Sequence, residues 1–515
     1  ANFDLNSALG FTSEQIIGPN TFDVGQNPAP LFTGFSPNVR GFEVAPGTIT
    51  PRLTFPLTLP SDEAQRIEQS LDDTLTTPHN YSFNVSYGRE LGKGLSFETS
   101  YVGRMARNLL AARDIMHLNN IRDPQSGMTW YEAINRLIDH RYSLTPIESV
   151  PNLPYFDNLF PGAGFLLELF GVPGLTNTQA VYTLIARPDV GGFDITDYTF
   201  IQTFLDDQPF ARHNNTFFHP QYAALSTFST IARSNYHSGQ FSLRHRFRND
   251  VAFDFNYTLS HSLDSASGLQ ASGAYASAFI VNALDPDQNY SNSDFDVRHV
   301  INANWLVALP LGRNRWIGHD MPRALDAAIG GWQLTGIFRW NSGLPTGEPF
   351  QADRWATNWN VQSNMVRVCA ANASVTRNGP DGSPNLFSNR DAVFRCFREP
   401  RAGEVGDRNI LRGDPYISLD LGLTKNFRMP WEGHNLQFRW EVFNVTNTQR
   451  FASASLLGFG LPPDPFMPFD DDFDPETPDV LPDVPRDFGK YTATQTPLNE
   501  PRAGRVMQFA LRYVF

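Results

Sequence analysis

The chain has 515 residues, 41% of them hydrophobic and 13% aromatic, including 42 Phe. Asp and Glu outnumber Lys and Arg by 53 to 40, and the net charge of -13 argues against a nucleic-acid partner. The longest apolar run, GFLLELFGV at 164–172, carries Glu168 and falls short of the ~20 residues a spanning helix needs, so no transmembrane helix is expected.

The opening segment, ANFDLNSALGF, lacks the basic start and apolar stretch of a signal peptide, so the chain is expected to begin after processing or truncation. Residues 1–78 read as a proline-rich loop segment. HNYSFNVSYGRE then sets Tyr81, Phe83, Val85 and Tyr87 against Asn80, Ser82, Asn84 and Ser86. A period of two gives a strand one apolar and one polar face. GLSFETSYVGR repeats the device with Leu95, Phe97 and Tyr101 against Ser96, Glu98 and Ser100.

A long insertion, 105–234, follows and carries helical signals. In SGMTWYEAINRLIDH, Thr129 and Glu132 make a capping-box pattern ahead of the stripe Trp130, Ala133, Ile134, Leu137 and Ile138. TNTQAVYTLIA repeats it with Thr176 and Gln179. This insertion is expected to fold as an extracellular cap of helices around its own core, with a further helix at 62–72.

Alternation then resumes. GQFSLRHRF sets Phe241, Leu243 and Phe247 against Gln240, Arg244 and Arg246, and VAFDFNYTLSHS sets Phe253, Phe255, Tyr257 and Leu259 against Asp254, Asn256 and Thr258. HVINANWLVAL, GWQLTGIFRW, YISLDLGLTKNF and NLQFRWEVFN continue it, with Arg339, Arg439 and Glu441 on the polar side. The last segment, RAGRVMQFALRYVF, ends with Phe509, Leu511, Tyr513 and Phe515 on one face. About nine strands result, each near the ~10 residues that cross a bilayer as a tilted strand.

Alternation alone also fits a soluble sandwich. The connections decide. ELGKG, FRNDV and RMPWEGH are tight and 310–330 is moderate, whereas the others run to roughly 130, 30, 70 and 55 residues. Short turns at one end and long loops at the other describe an outer-membrane barrel, with 105–234, 342–414 and 447–502 as extracellular loops. Tyr81, Tyr87, Tyr101, Tyr257, Trp332, Trp340, Phe427 and Tyr513 lie toward strand ends, where rings suit the headgroup boundary. The fold class is therefore all-β: a transmembrane antiparallel barrel segment at 79–515 with long, partly helical surface loops.

If the last strand ends in the periplasm, counting back through nine makes the first run downward as well, and residues 1–78 start outside the cell. An odd number does not close in the even-numbered manner of bacterial barrels, and an open sheet in lipid leaves backbone groups unpaired. Another polypeptide, or residues beyond these, is expected to complete it.

Several segments in order, among them DPQSGMTWYEAINRL, SNYHSGQFSLRHRFRNDVAFDFNYTLSHSLD, FDVRHVINANWLVALPLG, GGWQLTGIFRWNSGLP, DRNILRGDPYISLDLGLTKNF and FRWEVFNVTN, resemble the C-terminal half of TonB-dependent receptors. More narrowly, they resemble the Oar-like receptors whose chains begin with a carboxypeptidase-regulatory-like domain. The resemblance covers about 79–515. It implies a 22-stranded barrel filled by an N-terminal plug, energy delivered by TonB, and a location in the outer membrane of a Gram-negative bacterium. It also implies an N-terminal fragment carrying the plug and remaining strands, and a C-terminal aromatic strand, Phe509 to Phe515, that marks the barrel for insertion. Uptake of a bulky or scarce solute is the expected function, the extracellular ligand being unknown. Two rivals stay open: a structural or adhesive surface protein on the same anchor, and a soluble secreted glycan-binding β protein.

Motifs for catalysis are lacking: there is no HExxH, P-loop, Gly-x-Ser-x-Gly or Cys-x-x-Cys, and no enzyme activity or cofactor is expected. His237, His245 and His261 read as lumen, interface or loop residues rather than a metal site. Asp470, Asp471, Asp472 and Asp474 crowd the last long loop and make a weak candidate for structural Ca2+, though the EF-hand order and its Gly are missing. Glu98, Arg244, Arg246, Asp254, Arg339, Arg439 and Glu441 are candidates to line the lumen. Cys369 and Cys396, the two cysteines, are expected to form one disulfide made in an oxidising compartment, stapling a loop with little core of its own.

Overall fold

The computed structural model describes residues 66–115, 117, 119–143, 145–186, 198–206, 217, 222–248, 250–267, 279–346, 356–357, 363–370, 374–379, 382–429, 431, 434–451, 456–457, 484, 487–494 and 504–515. Nine long strands form one sheet: β1 (His79–Gly92), β2 (Leu95–Asp114), β3 (Tyr222–Arg248), β4 (Val251–Asp264), β5 (His299–Ala308), β6 (Trp332–Asn341), β7 (Tyr416–Arg428), β8 (Asn435–Phe443) and β9 (Val506–Val514). Each pairs antiparallel with the next in sequence, so among the described residues β1 and β9 are the two edges and the sheet is open. No helix among the described residues is long and apolar enough to cross a membrane.

The connections segregate. Residues 93–94, 249–250, 309–331 and 429–434 join strands at one end, and the long segments join them at the other. The first turn is tight because Gly92, Lys93 and Gly94 all take positive φ, which only glycine adopts without steric cost. β2 and β3 are 20 and 27 residues long. They project past the ~10 residues needed to cross a bilayer, so the first long insertion starts after Asp114 and ends before Tyr222.

Residues Arg66–Leu71 form a strand, not the helix expected over 62–72. They pair in parallel with the outer part of β3 from Tyr222 to Phe228. The projecting strand offers a row of open backbone groups, and pairing with it outweighs local helix preference.

The main hydrophobic core lies in the surface loops. Within the first insertion, α1 (Trp130–Tyr142), α2 (Pro154–Leu159), α3 (Ala163–Leu169), α4 (Asn177–Ala186) and α5 (Tyr198–Asp206) form a cap. Both capping boxes are present: Thr129 and Glu132 exchange bonds at the start of α1, and Thr176 and Gln179 do so before α4. The stripe Trp130, Ala133, Ile134, Leu137 and Ile138 is wholly buried. Trp130 lies against Tyr155, Phe156, Phe160 and Phe217, with ring centroids 5.7–6.3 Å apart.

A second core joins two other loops. Met365, Leu386, Phe387, Phe394, Phe397 and Leu411 pack with Phe451, Phe488 and Tyr491. The loop at 342–414 thus has more core than its sequence promised, because part of it comes from the last loop. Cys369 and Cys396 are disulfide-bonded at its margin, Cα atoms 4.9 Å apart.

Candidate functional site

The two faces of the sheet have opposite surroundings. On the apolar face, Tyr81, Val85, Tyr87, Tyr101, Leu259, Phe509, Leu511, Tyr513 and Phe515 are exposed. Rings on this face pack sideways within the sheet, as in Phe97 against Phe241 and Trp440 against Phe509, with centroids 4.9 and 6.0 Å apart. Two glycines on this face make room for rings: a Cβ at Gly103 would meet the ring of Phe83, and one at Gly336 the indole of Trp305. Such a broad bare apolar surface is untenable in water and fits hydrocarbon.

The polar face carries the charged side chains in registered rows. One row runs Arg244, Asp254, Asn304, Ile337 and Asp420 across five strands. Another runs Thr335, Gly422, Glu441 and Gln508. Arg244 donates from Nε to Asp254 Oδ2 at 2.8 Å. Arg439 donates from Nη2 to Glu441 Oε1 at 2.8 Å, and Gln508 Nε2 donates to the other carboxylate oxygen. A cavity of about 430 Å³ opens on these rows, lined by Arg244, Arg246, Asp254, Asn304, Asp420 and Glu441 among others.

At its outer end the polar face is covered. Ser262 donates its backbone N–H to Asp296 Oδ1 at 2.6 Å, and its hydroxyl lies 2.8 Å from that of Ser293. Arg408 reaches down to Asp264, with Nη2 2.7 Å from the Asp264 carbonyl oxygen, and pairs with Asp294 at 3.6 Å. Arg412 pairs with Asp296. The segment 399–412 also binds the cap. Asn135 and Ala402 exchange two hydrogen bonds of 3.1 Å, and Arg141 faces Glu399 at 3.6 Å with both side chains buried. Asn282 and Gln288 donate to the Gly403 carbonyl at 3.0 and 3.2 Å. Three surface loops are thereby interlocked into one lid over the polar face.

The lid's ionisable groups are tuned by burial and hydrogen bonding. Burial alone pushes the His117 imidazole down to about 4. Asp123 is buried, which raises its pKa, yet bonds from Ser126, Asn158 and the Gln125 and Ser126 amides hold it at about 2. For Glu404, burial is outweighed by the Arg398 guanidinium, which forms a fork of 2.7 and 2.9 Å bonds and keeps the carboxyl below the usual range.

All seven candidates on the polar side fall on one face, although only two pairs touch. Glu98 sits opposite Ser242, and Arg339 lies between Asn302 and Ser418. His237, His245 and His261 share the apolar phase of Phe241, and His237 Nδ1 is 2.8 Å from the Tyr101 hydroxyl. Among the described residues no cluster fit for a metal ion occurs. Asp470, Asp471, Asp472 and Asp474 lie outside the described residues, so the Ca2+ candidate has no structural account. The lid residues Arg141, Glu399, Arg408 and Arg412 were not legible beforehand. The segment DRNILRGD, which holds Arg408 and Arg412, bears on the family resemblance but not on pairing, and only the fold brings residues 267 positions apart, Asn135 and Ala402, into contact.

The sequence profile of the outer membrane beta barrel domain family matches residues 5–508. No curated protein sequence matches the chain. Among solved structures it is similar to the outer membrane transporter YddB from Escherichia coli, at 9% identity and a TM-score of 0.27, over 75% of this chain and 31% of that one. The chain thus spans about a third of the length of that transporter.

Proposed function

This chain belongs to the outer membrane beta barrel domain family, and from that premise we propose that it is the wall and surface lid of a TonB-dependent transporter of the Oar-like type. It resides in the outer membrane. The observation that carries the transport reading is the lid: three loops interlock over the polar face and leave the apolar face bare. An inert anchor has no need of a cover on one side. Surface loops capture a bulky or scarce solute, and the polar face, with its Arg244–Asp254 and Arg439–Glu441 pairs, lines the path inward.

Among the described residues the edges β1 and β9 have no further partner strand, which calls for more strands. Exposed backbone groups in hydrocarbon cost several kcal/mol each, so an open sheet does not persist there. A 22-stranded barrel would take about 13 more strands. In this reading an N-terminal fragment brings them together with the plug that TonB pulls. No catalytic step and no cofactor is included.

Growth under solute limitation tests the proposal. Deleting the gene should abolish growth on one scarce solute, and deleting TonB should reproduce the defect. Unchanged growth across a solute panel, with loss of surface adhesion or envelope integrity, would replace transport by the anchoring role.

A further inference from the structure

The connection 309–331 is the longest of the four at the short-turn end of the sheet, and it contains α6 (Arg323–Ile329). Two side chains of the apolar face hold it. Trp332 Nε1 donates to the Ala328 carbonyl at 3.1 Å, and Lys425 Nζ donates to the Gly330 carbonyl at 2.6 Å. Lys425 lies in phase with Leu421, Leu423 and Phe427, and its register partners are Trp332 and Phe438. Its ammonium sits over the rings of Phe427 and Trp332, 5.0 and 5.5 Å from their centroids, and the residue is only 3% exposed. These contacts fix α6 on the outer side of the barrel wall, away from the polar face.

The element is braced within itself. The Arg313 amide donates to Asp326 Oδ1 at 2.7 Å, Gly330 N–H to the Asp326 carbonyl at 2.8 Å, and Gly312 N–H to the Ile317 carbonyl at 2.9 Å. Arg315 pairs with Asp250 of the neighbouring turn. Yet its outward side is apolar. Trp316 is 87% exposed, and Ile317, Leu325 and Ile329 are exposed with it. Leu325 and Ile329 are one helical turn apart and share a side. Arg313 and Arg323 are exposed beside them. Arg315 is paired with Asp250, whereas among the described residues neither Arg313 nor Arg323 takes part in an ion pair, so these two guanidinium groups are open to an anion.

In water this cluster would be an aggregation hazard. It is instead continuous with the band of Trp332, Phe427 and Phe438 that meets hydrocarbon. An indole and aliphatic side chains next to arginines, at the rim of such a band, suit the headgroup boundary. We infer that residues 309–331 form a lipid-binding collar. Trp316, Ile317, Leu325 and Ile329 enter the periplasmic leaflet, and Arg313 and Arg323 hold the phosphate of anionic phospholipid. The collar acts whether or not the barrel transports a solute.

The test uses the purified outer-membrane protein containing the whole chain, reconstituted in phosphatidylethanolamine vesicles with or without phosphatidylglycerol. The Trp316 emission is the difference between wild type and Trp316→Phe. Lipids brominated on their acyl chains should extinguish most of it, and aqueous iodide little. Quenching by iodide alone places Trp316 in water, and quenching by neither places it against protein; either result overturns the collar. In native mass spectrometry, Arg313→Gln/Arg323→Gln should lose phosphatidylglycerol several-fold more than phosphatidylethanolamine, with heat-modifiable gel mobility showing that the barrel is folded. Unchanged phosphatidylglycerol retention overturns the anionic preference. If the double variant fails to fold, the Trp316 measurement decides.

Discussion

Removing one member of the buried pair that joins the cap to the disulfide loop should open the lid without touching the barrel. Arg141 and Glu399 face each other at 3.6 Å with side chains 0% and 1% exposed. In Arg141→Met, Glu399 loses a cation that helps offset its desolvation, and deleting one partner of a buried pair costs about 3–5 kcal/mol. Taking the lower figure, the equilibrium for lid opening rises roughly 100-fold, since about 1.4 kcal/mol is a factor of ten. Hydrogen exchange reads this directly. The Gly403 amide, bonded to the Ala356 carbonyl at 2.8 Å, and the Ala402 amide, bonded to Asn135, should exchange faster by about that factor. Amides of the β7–β8 pairing should be unchanged. The double variant Arg141→Met/Glu399→Met should exchange near the wild-type rate, because replacing both charges by apolar groups is close to neutral. A single variant indistinguishable from wild type, or a double variant as loose as the single, would refute the claim that this pair locks the lid.

Other outcomes follow from the same structure. Trp130→Ala should destabilise the cap by about 3–5 kcal/mol, seen as rapid proteolysis within 120–206 while the strands stay intact. Reducing the Cys369–Cys396 bond, which spans 27 residues, should destabilise the loop it closes by about 3.5 kcal/mol, read as protease sensitivity at 363–411 that appears only with reductant. Acid should loosen the cap in two steps. His117 has a folded pKa of about 4 against an ordinary 6.5, so stability present above pH 6.5 falls as pH drops toward 4. Asp123, at about 2 against an ordinary 3.8, holds stability above pH 3.8 that falls as pH drops toward 2. Proteolysis of the cap against pH checks both, and His117→Phe should flatten the upper step while Asp123→Asn flattens the lower.

Much of the fold was legible because strands and capped helices are written locally. Alternation alone located the nine long strands of the sheet, and Thr129 and Glu132 marked the start of α1 to the residue. What local pattern misses is whatever another segment decides. Residues Arg66–Leu71 became a strand because β3 projects beside them. The disulfide loop found its core because Phe451, Phe488 and Tyr491 come from a different loop. The candidate charges were readable as a face, since period two fixes sidedness, but their pairing into Arg244–Asp254 and Arg439–Glu441 was not. Lys425 shows the limit most sharply. Its phase puts a cation on the apolar face, and only the Gly330 carbonyl and two aromatic rings explain how it is accommodated.

Accessibility along β7 tests the assignment of faces most directly. Spin labels placed one at a time from Leu419 to Thr424 in the reconstituted protein report collisions with oxygen, which concentrates in acyl chains, and with a charged nickel chelate, which stays in water. Labels at Leu419, Leu421 and Leu423 should favour oxygen, and those at Asp420, Gly422 and Thr424 should favour nickel. Equal nickel access on both sets, or a reversed alternation, would contradict the account.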